Sequence, residues 1–397
     1  MRNVARLSAS IVLVLAVAWG GLWWYVQDRL RDGLVNYAAR NNAADGSSTL
    51  SYGSITTGLN PLTASATMQN VRMTIQPLKS NTQLAASYAQ VGLSIDAFNP
   101  FVLHVLLPNR LDISTPRGSI TVTSGSIAGN AKLDPRALFD RQIYPLTGGN
   151  SSAQDVAVLA DGTIEILHID RISVAETVQD ATSSSQTAMT IQEAIDNIAL
   201  PNWVISRWQV PFGGRISHMQ IGLTASGPID WSALLQQLDM PQQSIQDRNK
   251  MLLQNLHGWA SQGGNAKASL LLAIGPTTLN AGGTMAFDSN AQPGGTADIT
   301  ADNLDSFTAA LTAAYPPLQQ SIAGIEGRYS SYLSTSAASG QTLNIHIAYG
   351  KDGVLVNGTK QADMPPLDWN ALENASVPGA SLPIPQAPGD GSGAASQ

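Results

Sequence analysis

From Leu50 onward the chain alternates apolar and polar residues over short runs separated by turn residues, the period-two signature of half-buried strands. The clearest runs are Thr63 to Ile75, Ser119 to Thr123, Ile164 to Ile169 and Leu343 to Tyr349. Asp161-Gly162 and Asp352-Gly353 each sit between alternating runs and predict hairpins. Asn290-Ala-Gln-Pro-Gly294 joins two further strands, Thr284 to Asp288 and Thr296 to Thr300.

Short helices interrupt this pattern in a recurring way. Leu133-Asp-Pro-Arg-Ala-Leu138, Ile229-Asp-Trp-Ser-Ala-Leu234 and Leu367-Asp-Trp-Asn-Ala-Leu372 share an aliphatic residue, an Asp, a bulky or cyclic residue, then Ala-Leu two places on. Leu304-Asp-Ser-Phe-Thr-Ala309 is a looser fourth copy. In each, a strand ends and the Asp is placed to accept hydrogen bonds from the unpaired N–H groups of the next helical turn. A longer helix is expected from Gln242 to Gln262, with Ile245, Asn249, Leu252, Leu256 and Trp259 on its apolar face and Gly263-Gly264 as its stop.

The N-terminus follows another rule. Leu7 to Val26 is twenty residues without a charge, preceded by Arg2 and Arg6 and closed by Trp23, Trp24 and Tyr25. As a helix it rises about 30 Å, the thickness of a bilayer core. The aromatic trio falls where a membrane-interface belt belongs, and the flanking arginines place the N-terminus in the cytoplasm. A cleaved signal peptide would end near Ala16-Val17-Ala18, but the apolar run continues well past that point, so we read an uncleaved anchor. Beyond it, Val26, Leu30, Leu34 and Tyr37 or Ala38 keep a helical spacing that ends at Asn41, Asn42, Asp45 and Gly46, and this stripe is expected to pack onto the first strands.

Composition narrows the picture. The absence of cysteine excludes disulfides, thiol nucleophiles and thiolate metal sites. Charged residues make up 12 % of the chain, about half the usual share. A net charge of −7 without a basic cluster argues against nucleic acid as a partner. Residues 377–397 are Pro, Gly, Ala and Ser with a single charge and read as a disordered tail.

Candidate chemistry is sparse. His104, His168, His218, His257 and His346 are scattered, with no pair at metal-ligand spacing. Glu165, Asp170 and Glu176 flank His168, where solvated strand charges are the simpler reading. No Gly-x-Ser-x-Gly elbow or Ser-x-x-Lys occurs, and Gly213-Gly214 and Gly263-Gly264 read as bend and cap. Asp288-Ser-Asn290-Ala-Gln292 imitates the start of a calcium loop, but Pro293 stands where the glycine is needed, so a hairpin is expected. Trp203, Trp208, Trp231 and Trp259 are core aromatics or, alternatively, the lining of an apolar groove.

Several stretches together resemble an alphaproteobacterial envelope family carrying domain of unknown function 2125. They are the arginine-flanked anchor, Gly58-Leu-Asn-Pro61, Phe98-Asn-Pro-Phe101 with His104 after it, Ile274 to Asp288 followed by Pro293-Gly294, and Asp352 to Gly358 with Pro365-Pro366 behind it. The resemblance implies no activity. More distantly, the layout of anchor and β-rich body is similar to AsmA-like periplasmic lipid-transfer and assembly proteins.

The expectation is therefore a mainly β, β-rich α+β fold: curved antiparallel sheets with a few Asp-capped helices, preceded by one transmembrane helix. Residues 1–6 are cytoplasmic, 7–26 the anchor, 27–44 a juxtamembrane helix and 45–376 the periplasmic body, with a soft boundary near 179–190. The protein sits in the bacterial inner membrane, its body periplasmic. It is expected to be non-enzymatic and to need no cofactor or metal. Its partners would be the bilayer, through the N-terminal helix, and a phospholipid or other hydrophobic ligand; the alternative is a scaffold for envelope proteins.

Overall fold

A computed structural model describes residues 2–42, 48–75, 84–116, 118–138, 146–231, 233–234, 245–336 and 340–375; side chains are described for these except 2–18, 40, 137–138, 245–248, 336 and 374–375. The predicted tail lies outside the described residues, as do most side chains of the predicted anchor. Helix α1 runs from Arg2 to Arg40. Among the described residues no helix is long and apolar enough to cross a membrane.

The body is one antiparallel sheet of nineteen strands, so the fold is mainly β. β1 (Ser48–Ser51) and β2 (Ser54–Thr57) both pair β3 (Thr63–Ile75), which pairs β4 (Leu84–Asp96). β4 then pairs β5 (Asn99–Leu106) at its end and β6 (Arg110–Thr115) at its start. β6 pairs β7 (Gly118–Thr123), β5 pairs β8 (Ser126–Leu133), and both of these meet β9 (Leu146–Ala160). From there each strand pairs the next: β10 (Ile164–Val178), β11 (Thr187–Ala199), β12 (Arg215–Ser226), β13 (Asn265–Ile274), β14 (Thr277–Phe287) and β15 (Pro293–Asp302). β16 (Leu333–Ser336) pairs β17 (Gly340–Gly350), which lies between β15 and β18 (Gly353–Val356); β19 (Thr359–Ala362) pairs β18 and ends the sheet. Residues 179–186 connect the paired strands β10 and β11.

The turn chemistry follows the sequence. Asp161 and Gly162 take the positive φ that a tight hairpin between β9 and β10 demands, 48° and 72°. Asp288 Oδ1 accepts from the backbone N–H groups of Asn290 and Gln292 and closes the β14–β15 hairpin, with no room for a cation loop in that role. The recurrent Asp does cap its helical turn: Asp134 accepts from Arg136 N, Asp230 from Ala233 N and Asp368 from Ala371 N, at 2.8, 2.8 and 3.0 Å. In the looser fourth copy Asp305 instead accepts from Gln341 N at the start of β17, and Asn303 precedes the helix without a side-chain cap.

Among the described residues the sheet carries α1, α2 (Asn202–Trp208), α3 (Ile245–Ser261), α4 (Leu304–Ala314), α5 (Gln319–Arg328) and α6 (Trp369–Ala375). The apolar face expected for α3 is corrected. Leu252 and Leu256 are 41 % and 42 % exposed, while Trp259 and Ala260 are buried. The helix packs at its C-terminal end, where Trp259 meets Phe287 edge-on and α3 contacts α6, so burial follows that end and not the leucine stripe. Gly263, at φ 75°, and Gly264 end it, their N–H groups bonding Ala260 O and Trp259 O.

The largest core lies between α1 and β1–β5. Leu30, Leu34 and Ala38 are buried against Leu50, Ala64, Ala66, Met68 and Val71, so the helical stripe does pack onto the first strands. A smaller core gathers Ala260, Ala291 and Trp369 around Phe287.

A line of ladder breaks crosses the sheet from β3 to β12. Asn70 in β3 stands unpaired opposite Ala89, and the β5–β6 and β7–β8 junctions fall beside it at Leu107–Asn109 and Ser124–Gly125. Asp155 faces Asp170, Asp170 faces Asn197 and Asn197 faces Ser217, each skipped by the ladder. Asn70, Asp155 and Asn197 have φ of 53°, 51° and 52°, the left-handed conformation that Asn and Asp tolerate best. Each break turns the following residues over, so Met68 and Val71, or Ala153 and Val156, point to the same face although three apart. Aligned breaks of this kind crease the sheet.

Candidate functional site

Residues that face each other across an antiparallel ladder share a face of the sheet. One such row runs Ile127, Ala153, Ile172, Ile195, Met219, Leu272, Leu279, Ala301, Leu343, from β8 to β17. It contains no polar side chain. The neighbouring row on that face, Val174, Glu193, Ile221, Leu270, Ala281, Ile299, Ile345, admits one charge, the exposed Glu193. The opposite face reads Ser152, Ser173, Ala194, Gln220, Leu271, Asn280, Thr300, Asn344. The sheet is thus amphipathic across most of its width. Its apolar face is half-buried in most places, and Ile221 is 41 % exposed.

At its β4–β10 side the apolar face forms a cleft of about 610 Å³ along the crease. Gly33, Leu34 and Tyr37 of α1 make one wall; Val91, Leu93, Val105, Leu111, Val122 and Val156 make the floor. Ile127, Ala153 and Ile172 line the cleft and also begin the apolar row, so cleft and row are continuous. The volume lies in the range of small-molecule pockets. Tyr37, Tyr88, Asn109, Thr123 and Ser124 add polar groups to the lining, and burial first, then the neighbouring Tyr37, holds the Tyr88 phenol above its ordinary value.

The sequence-marked tryptophans stand elsewhere. None of Trp203, Trp208, Trp231 or Trp259 is among the cleft-lining residues. Trp203 is 49 % exposed on α2 and donates to Glu165 O; Trp208 is 66 % exposed, its carbonyl accepting from the Tyr315 hydroxyl. The Trp231 indole N–H is buried and has no hydrogen-bond partner among the described residues. Trp259 donates to Ser226 O inside the smaller core. In α1, Trp24 and Tyr25 are exposed while Trp23 packs on the sheet and donates to Asn60 O. The cleft was hidden in plain alternation: its floor residues, with Ile127, Ala153 and Ile172, sit on seven strands, and the signal that aligns them is the polar residue that breaks each run, as at Asn70 and Asp155.

Each histidine has a carboxylate beside it. His104 lies 3.3 Å from Asp96, His168 3.4 Å from Asp170, His218 2.7 Å from Asp196, His257 3.3 Å from Glu373 and His346 2.6 Å from Asp298. No two of these pairs share a residue, and among the described residues no group of three metal-ligating side chains converges. Such pairs are surface ion-pair geometry, worth little in stability.

A family model described as an uncharacterised protein conserved in bacteria (DUF2125) matches residues 23–347. No curated protein and no solved structure matches the chain.

Proposed function

The chain belongs to the DUF2125 family, uncharacterised and conserved in bacteria, and on that premise we propose that it is a membrane-anchored envelope protein that holds a lipid or similar hydrophobic molecule on the apolar face of its sheet. The observation that carries this reading is the uncharged row from Ile127 to Leu343, entered from the cleft under α1. An apolar face of this extent has no place in contact with water unless something covers it. A long, flexible apolar chain needs contact along its length and few directional bonds, which this face offers. The reading is non-enzymatic: the carboxylates of this face, Glu193 and Glu176, are exposed and stand opposite the aliphatic Ile221 and Ile191. The uncharged N-terminal run would anchor the chain in the inner membrane with the body in the periplasm.

The test is photocrosslinking in cells with the full-length chain. A photoreactive residue replaces Ile195 on the apolar face or Ser173 on the polar one, and adducts are identified by mass spectrometry. Lipid attached at Ile195 and not at Ser173 supports the reading; equal or absent labelling on both faces overturns it.

A second reading, a scaffold for envelope proteins, rests on β19. All four of its residues are exposed and its outer edge carries no strand among the described residues, which invites strand addition from a partner. A stoichiometric partner captured through that edge, lost when Lys360 and Gln361 are replaced by Pro, would favour it.

A further inference from the structure

Two turns at one end of the sheet repeat the same four-residue pattern. Leu59-Asn60-Pro61-Leu62 joins β2 to β3, and Phe98-Asn99-Pro100-Phe101 spans the β4–β5 turn and the first residues of β5. The turns are neighbours: Ala97 N–H donates to Leu62 O at 2.9 Å, and Thr63 Oγ1 donates to Asp96 Oδ1 at 2.9 Å. Leu59 and Phe98 are 91 % and 88 % exposed, with Leu62 at 50 % and Phe101 at 38 %. Single exposed apolar residues are ordinary, but four on adjoining turns make a patch, with Asp96 at their junction held by Thr63 and His104.

Helix α1 fixes where this patch lies. Trp19 and Trp23 donate their indole N–H groups to Pro61 O and Asn60 O, at 2.8 and 2.9 Å, and Gln27 Nε2 donates to Gly58 O. The first turn is therefore strapped to the stretch of helix that carries Trp24 and Tyr25, themselves 66 % and 45 % exposed. Past Trp19 the helix continues to Arg2, about 25 Å at the α-helical rise. Leu7 to Ala18 in that continuation carry no charge. The turns thus stand where an uncharged helix leaves the sheet, level with exposed aromatic rings.

We propose that the two Asn-Pro turns form a foot that seats in the headgroup–acyl boundary of a phospholipid bilayer beside α1. This rests on the reading of α1 as the membrane anchor and adds to it: the body stands on the surface on three points and does not swing on a tether. Lipid is the occupant because the patch is continuous with the uncharged helix and its turns, 58–62 and 97–101, are free of charge. The proline and the Asn60 Oδ1 that accepts from Leu62 N hold the first turn in shape, so its apolar side chains are presented without ordering cost on contact.

The chain has no cysteine, so a single one can be labelled with an environment-sensitive fluorophore. Leu59→Cys, Phe98→Cys, Leu22→Cys in α1 and Ser114→Cys at the far end of the sheet are each labelled in the full-length protein. All are reconstituted in phosphatidylethanolamine–phosphatidylglycerol vesicles containing doxyl-labelled phosphatidylcholine. Blue-shifted, doxyl-quenched emission at 59 and 98 as well as at 22, with 114 unaffected, is the expected result. Quenching at 22 with 59 and 98 behaving like 114 overturns the foot and leaves the anchor standing. No quenching at any position overturns the anchor reading and the foot with it.

Discussion

Asn197 donates its side-chain amide to Asp170 Oδ2 at 2.7 Å, joining two residues that face each other in β11 and β10 where the ladder skips both. The bond ties the crease together at one of its rows. It also accounts for the residue type, since Asn197 combines a left-handed backbone with an amide that reaches the opposite strand.

Asn197→Val removes that bond and places a β-branched side chain in the left-handed region. Unfolding by urea should show a loss of about 2–3 kcal/mol, the sum of the conformational cost and one hydrogen bond. Asn197→Gly should recover the conformational part and lose only the bond.

Gly264 lies directly against the Trp259 indole, and a Cβ at that position would overlap the ring. Because Trp259 is buried against Phe287, the ring has little freedom to yield. Gly264→Ala should cost about 1–3 kcal/mol in thermal unfolding. The substitution should leave the crease and the cleft unaffected.

Met68 is fully buried between α1 and β4. Met68→Ala opens a cavity under the helix and should destabilise the fold by about 2–5 kcal/mol. Hydrogen exchange should then rise first at β3 and at residues 30–38 of α1, the surfaces that meet there.

Asp134 is buried and accepts from Arg136 through its guanidinium and its backbone N–H, and the guanidinium bond is the chief reason its carboxyl is held below the usual value of 3.8. The stabilisation this gives is complete above the ordinary carboxylate value and is lost as pH falls through the lowered one. Asp134→Asn should therefore cost about 1 kcal/mol at neutral pH. Denaturant midpoints of the two proteins should converge in strong acid.

Ile221 lies on the apolar face beside Leu270 and is well exposed, so Ile221→Asp should change stability little. It should weaken binding of a fluorescent lipid to the purified protein roughly ten-fold or more, the value of one aliphatic contact with an apolar chain. Gln220→Asp, one residue away on the polar face, should leave that binding unchanged.

Much of this fold was legible because alternation, turn residues and capping Asp are local signals. β3 occupies the run from Thr63 to Ile75 that its alternation marks, and three of the four recurrent Asp residues cap as expected. The α3 face was misread because a helix pinned at one end by Trp259 can leave Leu252 and Leu256 in solvent, and spacing does not reveal which turn is packed. The cleft was not legible at all. Its floor is assembled by strand pairing, and Asn70, Asp155 and Asn197 invert the alternation of their strands while the register stays the same, a change that the sequence shows only as one polar residue within a run.

From β9 to β14 each strand is hydrogen-bonded to the one before it and the one after it in the chain, and the double strands β5–β6 and β7–β8 continue the same order toward β3. At about 4.8 Å per strand, every hairpin inserted or deleted would lengthen or shorten the apolar surface by roughly 10 Å without disturbing another pairing. The width of the sheet is thus counted in hairpins.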